Sequence, residues 1–359
     1  MSTARETTSC ATSTCRIGSI KALRSIAKEL GLDKPTEFKP AWWLPGPHLP
    51  TLWAALARRR SPAASRFERL RLDDGDFIDL CWVGASEGPL VVLLHGLEGS
   101  YRSKYAAALL DRIDGRGWGG VLMQFRGCSG EPNLRDRSYH SGDTGDLEFL
   151  LAVLEQRYPG RPIMAVGYSL GGNVLLKYLG QSAGNARPIA AAAVSVPFDL
   201  AAGANRLNRG VSKIYQRCLV RSLQKKIRTK FADRAAPIAL DELNKWADFW
   251  SFDNNVTAPL HGFADADEYY TRSSCRQYLG TIAKPTLVIH SRDDPFLSVD
   301  AIPKNDELSN TTELLLTERG GHVGFVSGRN PLRPRYWIDD CLMAWFERNI
   351  GTDRTTGGY

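Results

Sequence analysis

Short apolar runs alternate with stretches of helical periodicity along the middle of the chain. Residues 90–94, 119–124, 163–168 and 189–196 read as buried strands, each a brief apolar run bounded by turn residues. Between them, 104–113, 143–156 and 173–179 repeat apolar positions at helical spacing. Such alternation predicts a mostly parallel sheet with helices on its faces. Ahead of it, β-rich runs within 66–83 flank Asp73, Asp74, Gly75 and Asp76, turn chemistry that predicts an antiparallel hairpin opening the sheet.

The alternation stops after Pro197 and resumes at 285–290, followed by a strand-like 313–316 and a helical 335–348. Within the gap, Leu207, Val211, Ile214, Cys218 and Ile227 fall near helical spacing, so a mostly helical cap is expected over 198–270. The expected organisation is a leader at 1–37, a core at 38–197 and 271–350 interrupted by that cap, and a tail at 351–359. The leader is expected to be disordered in part or an amphipathic helix. Its Ile20, Leu23, Ile26, Ala27 and Leu30 share one face, with Lys21, Arg24 and Lys28 opposite, which leaves core docking and membrane docking both open.

Composition narrows the class. The 359 residues are 43% hydrophobic and 24% charged, which suits a globular protein and excludes disordered, collagenous and coiled-coil chains. No apolar run approaches the roughly 18 residues of a membrane span, and the N-terminus lacks the apolar core of a secretory signal, so a cytoplasmic location is expected. The Ser/Thr-rich start with Arg5, Arg16 and Lys21 has a trace of transit-peptide character, against which Glu6 and the lack of an Arg-rich helical face speak. Seven scattered cysteines without a CxxC pair suggest neither a disulfide framework nor a zinc site. A formal charge of +7 fits an anionic partner or plain solubility equally well.

Gly167-Tyr168-Ser169-Leu170-Gly171 matches G-x-S-x-G. In a Gly-rich chain the bare pentapeptide means little. A strand-like run before it and a helical run after it mark a strand–turn–helix elbow, which would project Ser169 from the sheet edge. The helix starting there aims free N–H groups at an oxyanion, so Leu170 N–H is the first candidate donor. The apolar run 90–94 leads into His95-Gly96-Leu97-Glu98-Gly99, whose Leu97 N–H is the second.

A hydroxyl needs an imidazole to take its proton and a carboxylate to orient that imidazole, here in the order Ser, acid, His. The strand at 285–290 runs into Asp293-Asp294-Pro295, and the next strand runs toward Gly320-Gly321-His322-Val323-Gly324. Asp294 is the chosen acid because Pro295 locks the turn behind it, with Asp293 as the alternative. His322 sits in a loop of flexible backbone suited to a base.

Other residues invite competing readings. His95, close to a buried strand end, is read as bracing its loop, against a catalytic or metal role. His140 is also read as a loop brace, with Asp143 as N-cap of the following helix. His48, His261 and His290 need only structural or surface roles, and no histidine pair with a third ligand has metal spacing. Cys128 is read as packing, against a thiol nucleophile. From Arg206 to Lys230 there are nine basic residues and no acidic one, either a solvated face or a face for an anionic membrane. No nucleic acid is expected, because recognition motifs are absent.

Several segments together resemble the YheT-like branch of the α/β-hydrolase superfamily, also called the AB hydrolase 4 family. They are Pro40-Ala41-Trp42-Trp43-Leu44-Pro45-Gly46-Pro47-His48-Leu49-Pro50-Thr51, the His95–Ser100 loop, Phe125-Arg126-Gly127-Cys128-Ser129-Gly130-Glu131-Pro132-Asn133, and Ser138-Tyr139-His140-Ser141-Gly142. The elbow, Asp293-Asp294-Pro295-Phe296 and Gly320 to Phe325 complete the resemblance, which spans about 38–348. It implies an α/β-hydrolase fold with a helical cap insertion and a charge relay of Ser169, Asp294 and His322. It also implies esterase or lipase activity without a cofactor, on acylglycerol, phospholipid or short- to medium-chain esters. Acyl transfer to an alcohol and a non-catalytic lipid-binding role are the rivals.

Overall fold

A computed structural model describes residues 37–58 and 65–350. The leader helix expected around residues 20–30 and the tail at 351–359 lie outside the described residues. After α1 (His48–Leu56) come β1 (Arg66–Arg71), β2 (Phe77–Gly84), β3 (Leu90–Leu94), α2 (Lys104–Gly115), β4 (Gly119–Gln124), α3 (Gly145–Arg157), β5 (Ile163–Tyr168), α4 (Leu170–Ser182) and β6 (Ala190–Val194). Next are α5 (Leu200–Leu207), α6 (Ser212–Lys230), and a broken helical run of Phe249–Phe252, a π-turn at Asp253–Thr257 and Ala258–His261. The described residues close with α7 (Ala266–Ser273), β7 (Thr286–Ser291), β8 (Thr312–Thr317), the small pair β9 (Val326–Ser327) and β10 (Arg335–Tyr336), and α8 (Trp337–Ile350).

Eight strands form one sheet in the order β1-β2-β4-β3-β5-β6-β7-β8. The β1–β2 and β2–β4 pairs are antiparallel and all others parallel. The inner parallel strands bury every residue, as their unbroken apolar runs require when helices cover both faces. On one face α3 supplies Leu147, Leu150 and Leu154 and α4 supplies Val174 and Leu175. On the other, α2 supplies Leu109 and Ile113 and α8 supplies Leu342 and Phe346. The strand order reverses between β3 and β5, where one chain crosses leftward and the other rightward. A crevice opens at the carboxyl ends of such strands, and the His95 loop and Ser169 both stand there.

Three local expectations need correction. Asp76 is more than a turn residue: fully buried, it accepts from Arg126 Nη1, Asn133 Nδ2 and the N–H groups of Phe77, Leu134 and Arg135. Those bonds tie the hairpin to the segment after β4. Asp143 does not cap α3; the N-cap is Thr144, and Asp143 accepts instead from Arg137 Nη2 at 2.5 Å. The apolar positions expected on one helix fall on two, α5 and α6, and do not form one buried face. Leu207 and Ile227 are buried, whereas Val211, Ile214 and Cys218 are exposed, because α6 packs through Val220, Gln224 and Ile227.

Candidate active site

Tyr168 ends β5 and Leu170 starts α4, so Ser169 alone makes the turn. Its φ of 51° and ψ of −119° lie where an L-residue is strained, at a cost of about 1–3 kcal/mol. The strain persists because Ser169 N–H donates to Val194 O at 2.8 Å while Gly172 and Asn173 N–H groups donate to Ser169 O. A Cβ on Gly167 would lie 2.3 Å from Gly171 O, and one on Gly171 would lie 2.5 Å from His95 O. Glycine at both positions is therefore a steric demand of the elbow.

Two further strand ends bring the partners. His322, in the loop after β8, places Nε2 3.0 Å from Ser169 Oγ and Nδ1 2.9 Å from Asp294 Oδ2. Asp294, after β7, is buried and accepts Phe296 N–H at 2.8 Å. Burial alone would raise its carboxyl, but His322, His290 and that N–H outweigh burial and hold it below the usual value. Asp293 points elsewhere, accepting Gly321 N–H at 2.9 Å. With Nδ1–H donated to Asp294, a neutral His322 has Nε2 free to accept the Ser169 hydroxyl proton.

The loop that holds His322 is braced by residues that sequence reasoning did not single out. Thr51 Oγ1 accepts His322 N–H at 2.8 Å and donates to Pro47 O, so α1 fixes the His322 backbone from outside the sheet. Ser195 Oγ accepts Val323 N–H, and Ser291 Oγ donates to Gly321 O. Phe296 stacks on the imidazole with ring centroids 3.9 Å apart. The Pro40–Thr51 segment was a signal for Thr51; the two serines lie on strand ends with no local mark.

Leu97 lies between two anchored neighbours. Gly96 N–H donates to Tyr105 OH at 2.8 Å, and Glu98 N–H donates to Tyr139 OH at 2.9 Å. Among the described residues, neither Leu97 N–H nor Leu170 N–H meets a protein acceptor. A Cβ on Gly96 would lie 3.2 Å from Ser169 Cβ, which shows how closely this loop approaches the serine.

The remaining histidines divide cleanly from His322. His95 is fully buried, with Nδ1 2.7 Å from Gly96 O and Nε2 accepting Phe125 N–H at 3.2 Å; burial holds its pKa down at about 4. His140 is held down to about 3, chiefly by burial, and its Nδ1 accepts Gly142 N–H. His290 is buried against Phe198 and held to about 4, chiefly by burial, so a surface role is excluded. His48 bonds Tyr215 OH at 3.1 Å and His261 bonds Thr257 O at 2.7 Å. Burial raises the Cys128 thiol pKa, and Lys226 Nζ approaches its sulfur at 2.9 Å.

Beside Ser169 opens a cavity of about 140 Å³. Leu219, Leu223 and Ile227 of α6 form one apolar wall, and Phe249, Phe252, Val256 and Leu260 another. Asp253 on the π-turn also lines it, accepting Tyr270 OH at 2.7 Å and Thr257 Oγ1 at 2.5 Å. Burial raises that carboxyl to about 6 despite both bonds. Among the described residues no three His, Cys, Asp or Glu side chains form a metal-holding group, and no helix is long and apolar enough to cross a membrane.

Comparison with known proteins adds a lineage to this geometry. Residues 89–328 match the family model described as the alpha/beta hydrolase fold. The chain is 43% identical to the provisionally named esterase YheT of Escherichia coli (strain K12), over 86% of this chain and 92% of that protein. It is 31% identical to phospholipase ABHD3 of Mus musculus, over 80% and 75%. It is 30% identical to a monoacylglycerol lipase of Saccharomyces cerevisiae, over 72% and 59%. Among solved structures, the esterase Pf2001 of Pyrococcus furiosus superposes with a TM-score of 0.52 at 17% identity, over 80% of this chain and 90% of that one. That likeness speaks for the fold alone.

Proposed function

The chain belongs to the α/β-hydrolase superfamily, in its YheT-like branch, and on that premise we propose a carboxylic ester hydrolase that works through an acyl-enzyme on Ser169. One observation carries the reading: Ser169 Oγ, His322 and Asp294 form a continuous hydrogen-bond chain beside an apolar cavity. His322 takes the Ser169 proton as the oxygen attacks the ester carbonyl, and the tetrahedral oxyanion lies between the Leu97 and Leu170 amides. His322 then returns the proton to the leaving alcohol. A water, deprotonated by the same imidazole, releases the acid. Asp294 remains ionised, stabilises the imidazolium and fixes its tautomer. No step calls on a metal or organic cofactor.

The helices of 198–270 act as the cap that selects the acyl chain, since their apolar side chains wall the cavity. That lining suits fatty-acyl esters, whether of glycerol, of phospholipid or of a short- to medium-chain alcohol. The outer face of α6 adds an anionic membrane as a docking surface: Lys213, Arg217, Arg221, Lys225 and Arg228 are exposed in helical register, with Val211 and Ile214 beside them.

The test is covalent. A fluorophosphonate probe labels Ser169 in the wild type and not in Ser169→Ala, and p-nitrophenyl ester turnover disappears with the label. Folded wild-type protein with neither label nor turnover would point to a lipid-binding protein on this fold. A new ethyl ester formed in added ethanol, at the expense of free acid, would shift the reading to an alcohol acyltransferase.

A further inference from the structure

Glu98 has no place in the acyl-transfer scheme, yet it is the most heavily restrained side chain of the loop after β3. Its backbone is left-handed, with φ of 55°, a conformation uncommon for a residue with a Cβ. Its N–H donates to Tyr139 OH at 2.9 Å, and that same hydroxyl donates to its Oε1 at 2.9 Å. From the far side of the crevice, α6 adds Lys226 Nζ at 2.5 Å from Oε1 and Ser222 Oγ donating to Oε2 at 2.9 Å. Both members of the ion pair are mostly shielded from water, with side-chain exposures of 17% for Lys226 and 11% for Glu98. A charged hydrogen bond in such surroundings is stronger and more directional than one at the surface.

We infer that Glu98 is a positioning residue, through which Ser222 and Lys226 of the cap helix set the aim of the Leu97 N–H. Leu97 is the one residue between Gly96, held by Tyr105 OH, and Glu98, held by Tyr139, Ser222 and Lys226. Rotation of the 97–98 peptide changes the direction of neighbouring amides, so a clamp on both sides fixes the donor before substrate arrives. The cap thereby does two things with one helix: Leu219, Leu223 and Ile227 line the cavity, and Ser222 and Lys226 complete the oxyanion site. Loss of the α6 contact uncouples the cap from the chemistry without touching Ser169, His322 or Asp294. The inference rests on the acyl-enzyme reading above, with Leu97 as a donor.

Neither Glu98 nor Ser222 lines the cavity, which separates aim from substrate fit. In full-length protein, Glu98→Gln and Ser222→Ala lower kcat on p-nitrophenyl butyrate, by about 10- to 100-fold for Glu98→Gln and less for Ser222→Ala, while KM stays within about 2-fold. Affinity for an alkyl trifluoromethyl ketone, whose serine adduct carries an oxyanion, falls in step with kcat/KM. Lys226 does line the cavity, so Lys226→Met is compared on kcat and ketone affinity alone, where it behaves like Glu98→Gln and Lys226→Arg recovers most of the loss. A purely structural role would lower thermal stability but leave the ketone affinity and kcat of the folded fraction unchanged. That result, or a change confined to KM, overturns the clamp. Wild-type protein that fails to label at Ser169 overturns instead the reading on which the clamp rests.

Discussion

The carboxyl edge of the sheet and the helices inserted between β6 and β7 face each other across the cavity, and they are built on different principles. At the edge, position comes from backbone: a strained Ser169, glycines with no room for a Cβ, and loops pinned by N–H groups. Across from it, the helices contribute apolar side chains, one buried carboxylate at Asp253 and a tether at Lys226. Reaction geometry needs tolerances of a fraction of an ångström, which rigid strand ends supply. Substrate choice needs only shape and apolarity, which helices can vary without disturbing the edge.

Substitution on each side should therefore have a different signature. The largest effect belongs to the edge: His322→Asn lowers kcat by about 10⁴-fold or more, and adding Ser169→Ala costs little further because the two act as a unit. Asp294→Asn costs about 10⁴-fold through the wrong imidazole tautomer. Asp293→Asn, which removes only a loop bond, costs far less, and steady-state kinetics on a short ester separates the two. Equal losses from both aspartates would erase the distinction drawn between them.

Second in size is an opposition in pH dependence. His95 at the edge has a folded pKa of about 4, below the ordinary histidine value of 6.5. Its stabilisation is present above pH 6.5 and is lost as pH falls through 4, a loss of about 3 kcal/mol. Asp253 in the inserted helices is raised from 3.8 to about 6. Its contribution is present below pH 3.8 and is lost as pH rises through 6, again about 3 kcal/mol. Denaturant unfolding between pH 4 and 7 should show His95→Gln removing a rise of stability with pH and Asp253→Asn removing an opposing fall over much of the same window. The same sign for both would contradict the burial assigned to one of them.

Third, Ile227→Trp narrows the cavity and should cut kcat/KM for long acyl chains about 10- to 100-fold relative to butyrate, with butyrate turnover little changed. Equal loss on all chain lengths would mean that Ile227 serves the edge rather than the acyl chain. The smallest effect is on docking. Lys213→Ser and Arg217→Ser should each weaken sedimentation with anionic vesicles by about 1 kcal/mol at low salt and leave soluble-ester kinetics intact. No binding by the wild type at low salt would remove the membrane from the reading.

Much of the edge was legible in the chain because its constraints are local. A strand, a turn with obligatory glycines and a helix must be adjacent in sequence, and so must a strand end and its acidic loop. The inserted helices were legible only as helices. Nine basic residues from Arg206 to Lys230 look alike in sequence, yet Lys226 turns inward to Glu98 and Lys230 is buried against Asn133 and Ser138. Apolar Val211 and Ile214 point outward from the same element at 53% and 59% exposure. Periodicity marks a helical face but not which neighbour it meets.

The alternation of strands and helices, the elbow at Ser169, and the succession of serine, acidic loop and histidine along the chain follow from short-range sterics and turn chemistry, and each was readable without the fold. That Asp294 rather than Asp293 meets His322, that Thr51 braces the His322 backbone across 271 residues of chain, and that α6 reaches Glu98 came only with folding. Those contacts join distant segments through the crossings of a parallel sheet. No local pattern records them, because what selects one carboxylate or one lysine over its neighbour is the direction in which a buried side chain finds its partner.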